Sequence, residues 1–242
     1  MAELRYPSQA RTEAAVDQGL RSYMLRVYNY MGAGLAMTGL AAYGTYHAAV
    51  DAAGQLTPFG TMIFVSPLKW AVIFAPLVLV MLLSFGIQRL SLGAAQLAFW
   101  GYAALMGVSL GSLGLIYTAQ SLTQVFLVTA ATFGAVSLYG YTTKRDLTGF
   151  GTFLFMGLIG LIIAGIVNIF LQSSAMSFVL SAIGVLVFTG LTAYDTQKIK
   201  EMYLESDSTL VMGQKAIMGA LSLYLDFINL FLSLLRLMGN RN

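Results

Sequence analysis

Two carboxylates in oily surroundings are the residues most able to do chemistry. Asp226 is the only charged residue in the run Ala216–Leu235, with Lys215 before it and Arg236 after it. Asp195 closes the preceding apolar run, inside Thr192-Ala193-Tyr194-Asp195-Thr196-Gln197. A carboxylate near the centre of a bilayer costs about 2.5–3.5 kcal/mol on insertion scales, so a chain that keeps one has a use for it. Two on consecutive apolar helices point to proton, cation or hydrolytic chemistry within a membrane. Within hydrogen-bonding reach of each other they cannot both ionise cheaply; they would share one proton and form a pH sensor that needs no histidine. The competing local reading of Asp195 is a surface ion pair with Lys198, three residues on along the same helix.

The helix that carries Asp226 extends the pattern. At 4-3 spacing, Lys215, Gly219, Ser222, Asp226, Asn229, Ser233 and Arg236 share one face, and the flanking positions are almost all Leu, Ile, Phe or Tyr. In lipid such a face must turn toward protein or water. This helix is therefore expected near the bundle centre, with Ser222, Asn229 and Ser233 lining a path or a polar interhelical contact. Asp226 lies about 16 Å along its helix from Lys215, whereas Asp195 is nearer the water. They can meet only if the last helix starts low, near Leu210, or the helix before it runs past Lys200.

The elements that must position these groups are membrane spans. The chain is 58% hydrophobic and 10% charged, with mean hydropathy +0.77, against about 25% charge in an ordinary soluble domain. Charge-free stretches of about 20 residues mark spans. They predict an all-α integral membrane protein with seven helices, at about 25–48, 68–89, 93–116, 121–143, 149–171, 175–198 and 212–238. The two long charge-free stretches divide at Tyr117–Ser121 and at Gln172–Ser174. Residues 1–20 read as a polar cytoplasmic segment without the pattern of a cleaved signal peptide, and residues 21–242 as one transmembrane domain. With the N-terminus inside, ten Lys and Arg residues fall on the inner side and three on the outer, as the positive-inside rule requires.

Other residues narrow the chemistry. There is no cysteine and one histidine, His47, which removes zinc, iron–sulfur and disulfide frameworks. Any metal would be a hard cation held by oxygen, and no resident cofactor is expected. The net charge of +3 sits at segment ends and reads as topology, not nucleic-acid binding. Gly107 and Gly111 form a GxxxG pair, followed by Gly114, which suits close helix approach. Pro76 lies inside the second span and predicts a kink, a candidate hinge. Arg89 ends that span on the inner side, as an anchor at the membrane surface or as a counter-charge for the carboxylates.

Three stretches carry a family resemblance: Tyr141–Asp146 leading into Gly160–Phe170, Phe188–Gln197, and Leu221–Phe231. They resemble the Bax-inhibitor-motif transmembrane family in a bacterial form, over nearly all of the chain after Arg21. The resemblance implies seven helices with the last at the centre, in a bacterial inner membrane. It implies a pH-sensitive calcium leak in which Asp195 and Asp226 match the carboxylate pair and bind calcium weakly and transiently. Arg89 matches an arginine that bonds the pair in the closed state, and movement of the second helix, with Pro76 as its hinge, opens the path. Some bacterial relatives lack the carboxylates and modulate a membrane protease; keeping both aspartates favours the ion-conducting branch.

Other classes leave different marks. An intramembrane aspartyl protease also uses two aspartates on consecutive helices, and Tyr194-Asp195 fits one of its motifs. Asp226, however, follows Leu223-Tyr224-Leu225 instead of Gly-x-Gly, and the prolines, Pro7, Pro58, Pro67 and Pro76, leave no downstream Pro-Ala-Leu. The expectation is a non-enzyme whose partners are the bilayer, calcium and protons. The alternatives are a proton-coupled transporter and a regulator bound to another membrane protein. A retinal protein would need a lysine for a Schiff base where Asp226 stands.

Overall fold

In a bilayer the backbone has no water to bond, so an apolar segment satisfies its own amides by forming a helix. A computed structural model describes residues 6–242, with side chains from Asp17 onward. Its helices, in chain order, are α1 (Tyr6–Ala49), α2 (Pro58–Phe64), α3 (Leu68–Gly86), α4 (Leu92–Leu110), α5 (Leu113–Ile116), α6 (Ala119–Thr142), α7 (Thr148–Leu171), α8 (Ser174–Glu201) and α9 (Thr209–Met238). A 3-10 turn, Ile87–Arg89, follows α3. Among the described residues there is no strand, only isolated bridges between Val50 and Leu56 and between Tyr117 and Arg241.

Among the described residues six segments are long and apolar enough to cross a membrane: Leu68–Arg89, Leu92–Ile116, Ala119–Thr142, Thr148–Leu171, Ser174–Glu201 and Thr209–Met238. They agree with six of the seven expected spans to within three residues at each end. The seventh, expected at 25–48, is part of α1 but falls outside that set, because its glycines, alanines and tyrosines lower its hydropathy. The polar segment expected at 1–20 is helical from Tyr6, continuous with α1; residues 1–5 lie outside the described residues. The connection Asp51–Pro67 holds α2, capped by the Thr57 hydroxyl, which accepts from the Gly60 N–H.

The interhelical breaks follow from local chemistry. Gln172 takes the left-handed conformation, φ 51°, that stops α7, and the Ser173 hydroxyl caps α8 by accepting from Met176 N–H. Thr118 caps α6 in the same way. The bundle is then assembled by van der Waals packing, since lipid tails offer apolar side chains as good a medium as each other. Gly107 is one close approach: a Cβ there would meet the Thr38 carbonyl and the Ala41 side chain, so α1 and α4 touch backbone to backbone.

α9 stands at the centre, packed against α8, α1, α6 and α4. Its aromatic side fills the core. Tyr224 stacks edge-on against Phe99 and Tyr102 of α4, and Phe227 does the same against Phe126 and Phe133 of α6. The Tyr224 hydroxyl bonds the Thr38 hydroxyl of α1 at 2.7 Å, and Thr38 also donates to the Ala103 carbonyl at 2.8 Å. The expectation that the last helix lies near the centre is thus met. α3 leans on α4, and α7 leans on α8.

Candidate functional site

Asp195 sits on α8 and Asp226 on α9, and two contacts fix how these antiparallel helices face each other. A Cβ added to Gly219 would meet Ile199, and one added to Gly184 would meet the Ser233 hydroxyl. In this register Asp195 is level with Ser222, one turn from Asp226, or about 5.4 Å along the axis. Both conditions set by the sequence hold: α9 begins low, at Thr209, and α8 runs past Lys200 to Glu201. The low start is secured by the Ser208 cap and by Lys215, whose ammonium donates to Asp207 Oδ2 at 2.6 Å and to the Met202 carbonyl at 2.9 Å. Lys215 thus leaves the seam to tie down the α8–α9 loop.

Gly219 packs against Ile199, and the rest of the seam faces one cavity of about 750 Å³. Ser222, Asp226, Asn229, Ser233 and Arg236 line it from α9, Tyr194, Asp195 and Lys198 from α8, and mostly apolar residues of α7 from the third side. Asp226 is 5% exposed and its Oδ2 has no hydrogen-bond partner. Asp195 is half-buried near the Lys198 end of the cavity. Among the described residues no hydrogen bond joins the two carboxylates, and the i,i+3 ion pair of Asp195 with Lys198 is not formed. Lys198 instead lies 5.8 Å from the centre of the Tyr194 ring. A carboxylate buried this way must be matched by a proton, a cation or water, because an unpaired buried charge is far too costly.

The other polar groups of the seam are partly spent on the helix. Asn229 Nδ2 donates to the Leu225 carbonyl at 2.8 Å, and the Ser233 hydroxyl donates to the Asn229 carbonyl at 2.7 Å. With the Ser233 O–H and one of the two Asn229 N–H groups used, Asn229 Oδ1 and the Ser233 oxygen keep lone pairs free at residues that line the cavity. The set on offer to a cation is two carboxylates, an amide oxygen and two hydroxyls. A calcium shell takes six to eight oxygens, so water would complete it. Among the described residues no group of three or more histidine or acidic side chains is placed to hold a metal ion.

Of its two readings, anchor at the membrane surface or counter-charge, Arg89 is not brought to the carboxylates in this arrangement. It is exposed at the end of the 3-10 turn, and it neither lines the cavity nor forms an ion pair among the described residues. The cations at the cavity are Lys198 and Arg236. Pro76 is buried within α3, which remains one continuous helix from Leu68 to Gly86, and it too lies off the cavity.

The structure adds residues that sequence reasoning passed over. Gln197 is 7% exposed, and its side-chain amide clamps the α6–α7 loop: Oε1 accepts from Leu147 N–H and Nε2 donates to the Arg145 carbonyl, each at 2.8 Å. Gln214 does likewise for the α3–α4 bend, donating to the Ile87 carbonyl at 3.0 Å and the Leu90 carbonyl at 2.8 Å. Thr196 donates to the Thr192 carbonyl, so it must accept from Ser137, which in turn accepts from Tyr28. That one-way chain ends on a carbonyl; it joins α1, α6 and α8 and cannot relay a proton to Asp195. The signal for Gln197 was available: a buried amide two residues after Asp195, on a helix that had no need of it. Outside the spans, Asp146 accepts from Thr148, and bonds from the Thr148 side chain and N–H hold its carboxyl below the usual range.

An all-helical bundle with membrane-length apolar helices around a buried acidic cavity defines a polytopic membrane protein with an ionisable interior. Comparison with known proteins gives the family. The family described as Inhibitor of apoptosis-promoting Bax1 matches residues 20–242, and the chain belongs to this Bax inhibitor-1 family. It is 49% identical to the inner membrane protein YbhL of Escherichia coli K12 over 225 residues, 92% of this chain and 93% of that one. It is equally similar, at 49% over 225 residues, to protein RP147 of Rickettsia prowazekii, covering 93% and 92% of the two chains. A Caulobacter vibrioides protein is 47% identical over 233 residues, covering 95% and 92%.

Proposed function

We propose that the protein is a pH-sensitive calcium leak of the bacterial inner membrane, with Asp195 and Asp226 as its proton-controlled cation site. The observation that carries this reading is the single cavity into which α8 and α9 bring both carboxylates, with Asp226 buried and lacking a hydrogen-bond partner. Ionised, the pair attracts a hydrated divalent cation; protonated, it does not. Calcium is cargo, held weakly by the carboxylates, Asn229 Oδ1 and water.

The topology that goes with this reading has seven spans, with α1 as the first and its N-terminus inside. Packing of α1 along α4 and α9, at Gly107 and Thr38, supports it, as does the excess of Lys and Arg on that side. Arg89 enters only in a closed arrangement. The cavity is bare on the side away from α7 and α8, and α3 would have to move over it, pivoting at Pro76 or at the bend held by Gln214, to bring Arg89 to the aspartates.

Calcium uptake by proteoliposomes across a pH series tests the reading. Asp195→Asn and Asp226→Asn should each change the pH dependence of the flux. Unchanged flux at every pH in both variants would remove the model. An unaltered effect on a co-purifying membrane protease, with both aspartates neutralised, would favour the regulatory alternative.

A further inference from the structure

The acidic cavity is a groove, and its length and its missing wall both matter. Its lining on α8 runs from Leu180 to Lys198, about 27 Å of helix at 1.5 Å per residue. That is close to the roughly 30 Å depth of a bilayer's hydrocarbon core. Among the described residues α7, α8 and α9 line it and no fourth helix closes it, so in a bilayer that side would face lipid. Its floor is polar, through Ser222, Asp226, Asn229 and Ser233, while its rims are apolar, through residues such as Phe155 and Leu225. A cation stands toward each end, Lys198 and Arg236.

A polar floor left against acyl chains is expensive. The occupant that fits such a floor between apolar rims is an amphiphile, with its headgroup in the groove and its chains in the bilayer. The charges select the headgroup. An ammonium group suits the acidic pair, which lies in the Lys198 half of the groove, and a phosphate suits Lys198 at one end and Arg236 at the other. From this geometry we infer that the α7–α8–α9 groove is a path along which zwitterionic phospholipid headgroups, an ammonium joined to a phosphate, cross from one leaflet to the other. This activity is separate from calcium conduction and rests on the groove alone. No bond is made or broken; the lipid turns over while its chains remain in the membrane.

The test uses the full chain in vesicles of phosphatidylethanolamine and phosphatidylglycerol. A trace of phosphatidylethanolamine carries a nitrobenzoxadiazole label on its acyl chain, leaving the amine free. External dithionite bleaches label as it reaches the outer leaflet, and an encapsulated soluble dye reports any entry of dithionite itself. Bleaching should continue past the outer-leaflet share, to near completion. The chain has no cysteine, so Asn229→Cys supplies one thiol on the groove floor. A bulky neutral maleimide on that thiol, whose thioether dithionite does not cleave, should slow transfer at least about tenfold relative to the untreated variant, a barrier rise of about 1.4 kcal/mol, while a circular dichroism spectrum and melting temperature unchanged by the treatment show that the fold survived. Bleaching that stops at the outer-leaflet share, or a rate indifferent to the modification, overturns the inference. Calcium flux read on the same vesicles separates the two readings: flux without lipid transfer sinks this one alone, and lipid transfer without flux sinks the other alone.

Discussion

α7 and α9 are both membrane-length helices, yet 6% of the most apolar stretch of α7 is buried in the protein, against 67% for α9. The more apolar helix of the two is the one on the outside. In water that order would be reversed. In a bilayer apolar side chains are content against lipid, so the position of a helix in the bundle is decided by what lipid rejects. α9 carries Asp226, Asn229 and the serines, and it goes to the centre. α7 carries Phe and Ile over much of its surface, spends its one amide, Asn168, on the turn into α8, and packs on α8 along one face, where Leu154 joins Val187 and Leu191 and Gly151 admits the Tyr194 ring. α9 itself repeats the contrast, with its aromatic side locked into the core and its polar side left for the cavity.

The comparison breaks first on the aromatic side of α9. Phe227→Ala removes a ring packed between Phe126 and Phe133 and should cost about 3–5 kcal/mol of stability. Phe170→Ala on α7, at a ring 82% exposed, should change stability by less than about 0.5 kcal/mol. Thermal unfolding in detergent measures both, and equal losses would contradict the assignment of inside and outside. Next in size is Gln197→Leu, which strands the Leu147 N–H and the Arg145 carbonyl and should cost roughly 2–3 kcal/mol. Faster hydrogen exchange confined to the α6–α7 loop would locate that loss.

The seam should behave in the opposite sense. Asp226→Asn replaces a buried carboxylate whose Oδ2 has no hydrogen-bond partner, so stability at neutral pH should hold or rise while calcium flux changes. A marked fall in melting temperature would show that Asp226 is a structural group. The smallest effect belongs to Asp146. Its folded carboxyl titrates below the unfolded one, so its contribution is present above the unfolded value and disappears as pH falls through the folded value. Asp146→Ala should therefore lower the neutral plateau slightly, leave stability below the folded value unchanged, and so flatten the acid limb of the curve.

Periodicity and charge carried much of this architecture. The polar seam showed that α9 is central before any contact was known, and the breaks at Thr118 and Gln172 were readable because capping and left-handed residues act locally. α2 was missed because seven residues are too few to show a period. The first span was read as one among equals, although its composition of Gly, Ala and Tyr serves packing against α4 more than contact with lipid. For the site, the two aspartates and their three polar neighbours were legible from spacing, and all five face one cavity. Arg89 was not, because where the end of α3 points depends on packing against α4 and on the Gln214 clamp, neither of which has a pattern along the chain. The open side of the cavity was equally hidden, since it depends on which helices fail to meet.

The claim on which the account stands is that Asp195 and Asp226 act as one unit. A double-mutant cycle on the pH profile of calcium uptake reads this directly, with Asp195→Asn, Asp226→Asn and the two combined in the same vesicles. Groups that act together are not additive, so the double variant should shift the profile no further than the stronger single one. Two independent shifts that simply add, or a profile that none of the three variants moves, would contradict it.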